Sequence, residues 1–264
     1  MVEKKSKKRK NTIRALIKAL TIAFLVAIAA SAAWLYLRLS HPDKGAKIPE
    51  GDYVFGIDVS KYQSDINWKD LKILVDENGI TTGSLNDAKE TKRISYVFIK
   101  ATEGTSLVDK CFKSHWKKAR QANIRRGAYH FFRSSKDPEK QAQLFIKTVG
   151  KLSKDDLPPV LDIETIHDGC SNKVLNDKAL IWLRTVEKHY GRKPIVYSNA
   201  SFINNNLSKE IKDNYPIWVA HYKTHRPRCD RWHIWQFTDK AVVYGVEGYT
   251  DLNVCSPEYL KSLL

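Results

Sequence analysis

The chain has 264 residues, 42% apolar and 28% charged, a balance that suits a globular fold and excludes disorder or a fibrous repeat for most of its length. Its 45 Lys and Arg against 29 Asp and Glu give a formal charge of +16, which on its face points to a polyanionic partner. The distribution argues otherwise: Lys4, Lys5, Lys7, Lys8, Arg9, Lys10, Arg14, Lys18 and Arg38 stand beside a single acid, Glu3, so this tail holds about half of the excess.

Residues 1–18 read as a basic cytoplasmic tail. Residues 19–37, ALTIAFLVAIAASAAWLYL, are 19 consecutive uncharged positions, long enough to cross a bilayer as a helix, with Trp34 and Tyr36 where an interfacial aromatic belt sits. Lysines ahead of such a run hold the amino terminus in the cytoplasm, so the rest of the chain is expected on the far side, periplasmic or at the cell surface. Ala30-Ser31-Ala32 has the form a signal peptidase accepts, and cleavage there would release a secreted protein. The apolar run continues past it through Trp34 to Leu37, which favours an uncleaved signal anchor.

Residues 38–52, with Pro42, Gly45, Pro49 and Gly51 among alternating charges, read as a linker. A folded domain is expected over 53–264. It contains eight segments of strand character: YVFGIDV, ISYVFIKA, RRGAYHFF, PPVLDIE, PIVYSN, PIWVAHY, HIWQFT and a weak last one near 248–252. Helices are expected from about Asp109 to Asn123, Pro138 to Val149 and Asn176 to Tyr190, the last stopped by Gly191. Strands alternating with helices predict an α/β fold, a parallel (β/α)8-type barrel that is irregular because the later strands are too close for a helix each. Residues 75–93 are polar, lack an apolar period and read as an exposed insertion loop.

Residue alternation in PPVLDIE puts Val160, Asp162 and Glu164 on one face and Leu161 and Ile163 on the other. The two carboxylates stand about 6.6 Å apart along the strand, close enough for one charge to keep the other carboxyl protonated. In VFGIDV, Asp58 is another acid at a strand end, and Asp251 follows the weak last strand. Barrel closure would bring first and last strands together and gather all four. Such acids suit glycoside hydrolysis, a hard-metal site or ordinary caps and turns. Tyr129, Tyr197, Trp218, Tyr222 and Trp235 lie in or at the ends of strand segments, and flat aromatic faces suit a pyranose ring. The four cysteines, Cys111, Cys170, Cys229 and Cys255, are 26 to 59 residues apart, too widely spaced for a typical zinc site, and fit either two disulfides or free thiols.

GIDVS at 56–60, Tyr62-Gln63, Ile66 to Trp68, FIKATEG at 98–104, GAYHFF at 127–132, PPVLDIE, YSN at 197–199, WVAHY at 218–222 and WQFT at 235–238 form an ordered series. With it the chain resembles glycoside hydrolase family 25, the Chalaropsis-type lysozymes, from about Tyr53 to Leu264. The resemblance implies a flattened, modified barrel that hydrolyses the β-1,4 bond between N-acetylmuramic acid and N-acetylglucosamine in the glycan strands of peptidoglycan. It implies Glu164 as general acid, Asp162 assisting the substrate's 2-acetamido group, and Asp58 and Asp251 completing the pocket. Tyr62, Lys100, Tyr129, Tyr197, Trp218, Tyr222 and Trp235 would line the sugar site. Such a scheme needs no cofactor and no metal, and the chain carries no recognised nucleic-acid motif. A wall-binding scaffold with weak activity, or a hydrolase of other acetamido-sugar polymers, are the alternatives. The anchor and the 75–93 insertion depart from the family pattern.

Overall fold

The structure, a computed structural model, describes residues 18, 20–32, 45–222, 226–229 and 231–263. The chain divides into two units, Met1–Lys44 and Gly45–Leu264. In the first, residues 20–32 are helical with exposed side chains. Among the described residues no helix is long and apolar enough to cross a membrane. The basic tail before Lys18, positions 19 and 33–37 of the apolar run and residues 38–44 lie outside the described residues.

The second unit begins with strands β1 (Val54–Val59), β2 (Lys72–Val75), β3 (Thr81–Thr82), β4 (Glu90–Glu103) and β5 (Leu107–Val108). Helix α1 (Phe112–Gln121), β6 (Arg125–Phe131), α2 (Pro138–Val149), β7 (Val160–Asp162), α3 (Asn172–Tyr190) and β8 (Ile195–Asn199) follow. The chain ends through α4 (Ala200–Asn206), α5 (Lys209–Asn214), β9 (Ile217–Ala220), β10 (Ile234–Val242), β11 (Tyr249–Cys255) and α6 (Pro257–Ser262). Strands β1, β11, β10, β9, β8, β7, β6 and β4 pair in that order, and β4 pairs back to β1, which closes an eight-stranded barrel. These eight are the segments expected from the sequence.

Two features correct the expected (β/α)8 pattern. Strand β11 runs antiparallel to both β10 and β1, because a short turn after Val242 can only return the chain antiparallel. Among the described residues helices fill only the crossovers from β4 to β6, β6 to β7, β7 to β8 and β8 to β9, so the barrel is strand-based with a partial helical coat. The expected α2 bounds match, with Asp137 capping Lys140 N, whereas α3 starts at Asn172, earlier than expected, because Ser171 caps Val174 N. Gly191 ends α3 at φ 65°, in the left-handed region.

The 75–93 segment is also corrected: it is no loose loop but a hairpin. β2 pairs antiparallel with β3 and with the first half of β4. Thr81, buried in this hairpin, accepts hydrogen bonds through Oγ1 from Ala46 N at 3.0 Å and Val242 N at 3.2 Å. Part of the stretch read as a linker is therefore packed as a strap along the hairpin, with Ile48 N donating to Gly79 O at 2.9 Å and Lys47 bridging Ile80.

Alternation along the strands divides the apolar residues into two layers. Tyr96, Phe98, Val160, Ile195, Tyr197, Trp218 and Ile234 fill the barrel interior. Phe55, Ile57, Val97, Ile99, Leu161, Ile163, Val196 and Val219 face outward and join one core cluster with Phe145, Trp182 and Leu183 of the helices. Each such side chain contributes about 1.5–3 kcal/mol on burial. Gly56 is required by this packing, since a Cβ there would lie 2.2 Å from the Tyr96 ring. The four cysteines are free thiols, and Cys255 lies buried with the interior layer.

Candidate active site

The interior layer fills one end of the barrel and leaves a cavity of about 350 Å3 at the carboxyl ends of the parallel strands. Asp58 enters it from β1, Lys100 from β4, Tyr129 and Phe131 from β6, Asp162 from β7 and Tyr197 from β8. Glu164 projects from just beyond β7 and is exposed, while Asp162 is 6% exposed. Because β11 is antiparallel, its beginning reaches the same end, and Asp251 stands opposite Asp58 in register. Closure thus brings together the four acids expected from the sequence. Trp218, Tyr222 and the exposed Tyr62 complete the aromatic wall.

Trp235 does not line this cavity. On β10 the inward positions are Ile234 and Gln236, so Trp235 points outward, packs on Trp232 and Phe237, and donates its indole N–H to His221 O at 2.8 Å. The inward neighbour, Gln236, is a site residue that the sequence reading missed. Its Nε2 donates to Asp58 Oδ2 at 2.8 Å, and its Oε1 accepts from the hydroxyls of Tyr197 and Tyr222, each at 2.8 Å. Asn253, also missed, donates to the same Asp58 oxygen at 2.8 Å and accepts from Trp218 Nε1 at 2.8 Å. Both were within reach of the alternation rule: Gln236 opposes Trp235, and Asn253 shares a face with Asp251. Ser60, Gln63 and Asp239 also line the cavity.

Burial controls the charge state of these acids. It pushes the Asp58 carboxyl up to about 6, against the two amide donors, with the Glu164 charge adding to the rise. Asp251 is raised to about 9 by burial and by the charges of Asp58 and Asp239. Asp162 is raised well above the usual carboxylate range by burial and by the adjoining Glu164, with which it shares a hydrogen bond. One oxygen of Asp162, Oδ1, is buried and accepts no hydrogen bond from an N–H or hydroxyl donor among the described residues. Burial thus favours the protonated form of Asp58, Asp162 and Asp251, and a carboxyl that holds its proton is one of the two groups that glycosidic bond cleavage uses.

A polar chain braces the segment that carries Glu164. Lys100 Nζ lies 2.7 Å from Glu103, Glu103 pairs with Arg133, and Arg133 Nη1 donates to His167 Nε2 at 2.8 Å. Ser134 Oγ accepts from His167 N at 2.9 Å. Among the described residues no three His, Cys, Asp or Glu side chains form a group that could hold a metal ion.

The chain is similar to known proteins in sequence and in fold. The YegX protein of Escherichia coli O6:H1 is 41% identical over 210 residues, covering 79% of this chain and 71% of its own. Lysozyme M1 of Streptomyces globisporus is 32% identical over 214 residues, covering 76% and 67%. Among solved structures, the bacterial lysozyme from Streptomyces coelicolor superposes with a TM-score of 0.67 at 30% identity, over 81% of this chain and 98% of that one. The family model for glycosyl hydrolases family 25 matches residues 57–246, a span that starts beside Asp58 and takes in Asp162, Glu164 and Gln236, and the chain belongs to that family of glycoside hydrolases.

Proposed function

We propose that this glycoside hydrolase is a muramidase, cleaving the β-1,4 bond between N-acetylmuramic acid and N-acetylglucosamine in peptidoglycan. The observation that carries the reading is Oδ1 of Asp162, without an N–H or hydroxyl donor among the described residues, in a cavity walled by aromatic rings and by Asp58, Glu164 and Asp251. A buried acceptor without a donor is costly, and the N–H of a 2-acetamido group supplies one. In the free enzyme Asp162 keeps the proton that it shares with Glu164. When the acetamido N–H engages Asp162, the carboxylate form is favoured there and the proton passes to Glu164, which delivers it to the leaving oxygen. The acetamido oxygen then attacks the anomeric carbon, and Glu164, now a carboxylate, activates the water that completes hydrolysis.

The test is mass spectrometry of fragments released from purified peptidoglycan. Wild type is expected to yield ends in reducing N-acetylmuramic acid, and Glu164→Gln to lower kcat by about a hundred- to ten-thousand-fold. Ends in N-acetylglucosamine would reverse the bond assignment, and absence of fragments would favour a wall-binding role.

The domain acts outside the cytoplasm, tethered by residues 19–37. The length and apolar character of that run and the Lys-rich flank before it support this reading. Fractionated cells should hold the full-length protein in the membrane pellet, resistant to carbonate extraction. Recovery of a shortened chain in the medium would mean cleavage near Ala32.

A further inference from the structure

A second cavity, of about 570 Å3, adjoins the acidic one and shares Tyr222 with it as a common wall. That volume lies within the range of about 300–1,000 Å3 typical of ligand sites. One wall is the outward face of β10, Trp235 and Phe237. The other is the strap that precedes β1, with Lys47, Ile48 and Glu50. Arg226 lines it as well. The strap lies ahead of the matched span 57–246 and is held by the hairpin: Thr81 N donates to Ala46 O at 2.9 Å, and the Thr81 hydroxyl oxygen ties Ala46 N to Val242 N of β10. The 75–93 insertion thus fastens the strap to the barrel and creates a chamber that β10 alone would leave open.

The two chambers differ in charge. The first is lined by acids, whereas among its described lining residues the second presents Lys47 and Arg226 against Glu50 alone. Both cations are exposed, and neither is ion-paired with an acid among the described residues. A guanidinium and an ammonium beside apolar rings suit a ligand with carboxylates on a partly apolar backbone. We propose that this chamber binds the carboxylate-bearing stem peptide of the glycan strand while the neighbouring sugar occupies the acidic cavity. The assignment rests on the muramidase reading, in which the substrate carries such peptides beside the scissile bond.

The test compares full-length wild type with the Lys47→Ala/Arg226→Ala double variant on two soluble substrates, glycan chains bearing stem peptides and the same chains after an amidase has removed them. The double variant should show a KM raised by about tenfold on the peptide-bearing chains with kcat held. On the peptide-free chains its constants should equal those of wild type. An unchanged KM on peptide-bearing chains, or equal losses on both substrates, overturns the proposal. If wild type cuts neither substrate, the muramidase reading falls, and calorimetry with a muramyl pentapeptide decides the chamber separately. Binding by wild type that weakens in the variant sustains it, and no binding by wild type ends it.

Discussion

Burial raises the Asp58 carboxyl, and two neutral amides oppose that rise. Gln236 and Asn253 both donate to Oδ2 and hold the carboxyl down against burial, at about 6. Gln236→Met removes one donor, so the Asp58 value is expected to rise by about one unit. The acid limb of kcat/KM should then move to higher pH, and the Tyr197 and Tyr222 hydroxyls lose their shared acceptor. A uniform loss with no movement of the limb would disprove control through Asp58. Asp251 is raised from 3.8 to about 9, so the folded state holds a proton that the unfolded chain releases. Its contribution to stability is fully present below pH 3.8 and is lost as pH rises through 9. Asp251→Asn should therefore leave the Tm near that of wild type at pH 4 and exceed it by pH 9, with a gain of at least about 1 kcal/mol followed by calorimetry. At this scale the carboxylates were legible in the sequence, because a charge at the end of an apolar strand demands a partner. Gln236 and Asn253 carry no charge and raised no such demand. Trp235 was placed in the site as an aromatic residue within a strand segment, although its position in the alternation turns it away.

The hairpin β2–β3 and the strap depend on one hydroxyl. Thr81→Val keeps the shape but leaves Ala46 N and Val242 N without their acceptor, at a cost of about 1–3 kcal/mol. Urea denaturation should register that loss, and limited proteolysis should find the strap cut first in the variant. A midpoint equal to that of wild type would mean that water or the backbone replaces the contact. All eight barrel strands were legible as short runs rich in β-branched and aromatic residues, as expected of strands buried on both faces. The insertion was not: its strand β3 is two residues long, and its partners at Ala46 and Val242 are 35 and 161 positions away. The short helices α4, α5 and α6 also escaped, since six or seven residues are too few to reveal a helical period, although Asn199, Ser208 and Ser256 cap them.

On the scale of the whole molecule, the barrel is closed by its two ends. β1 and β11 pair residue for residue, and the bond from Asn253 to Asp58 spans 195 positions. Every other barrel strand can form its parallel pairing before β11 is made, but the acid cavity cannot: Asp251 and Asn253 arrive with the last strand. A nascent chain that has not been translated past Tyr249 thus carries Asp162 and Glu164 without the groups that complete their cavity. The four-acid cavity is thus a property of the closed barrel: a chain stopped before Tyr249 lacks Asp251 and one of the two amide donors that hold Asp58.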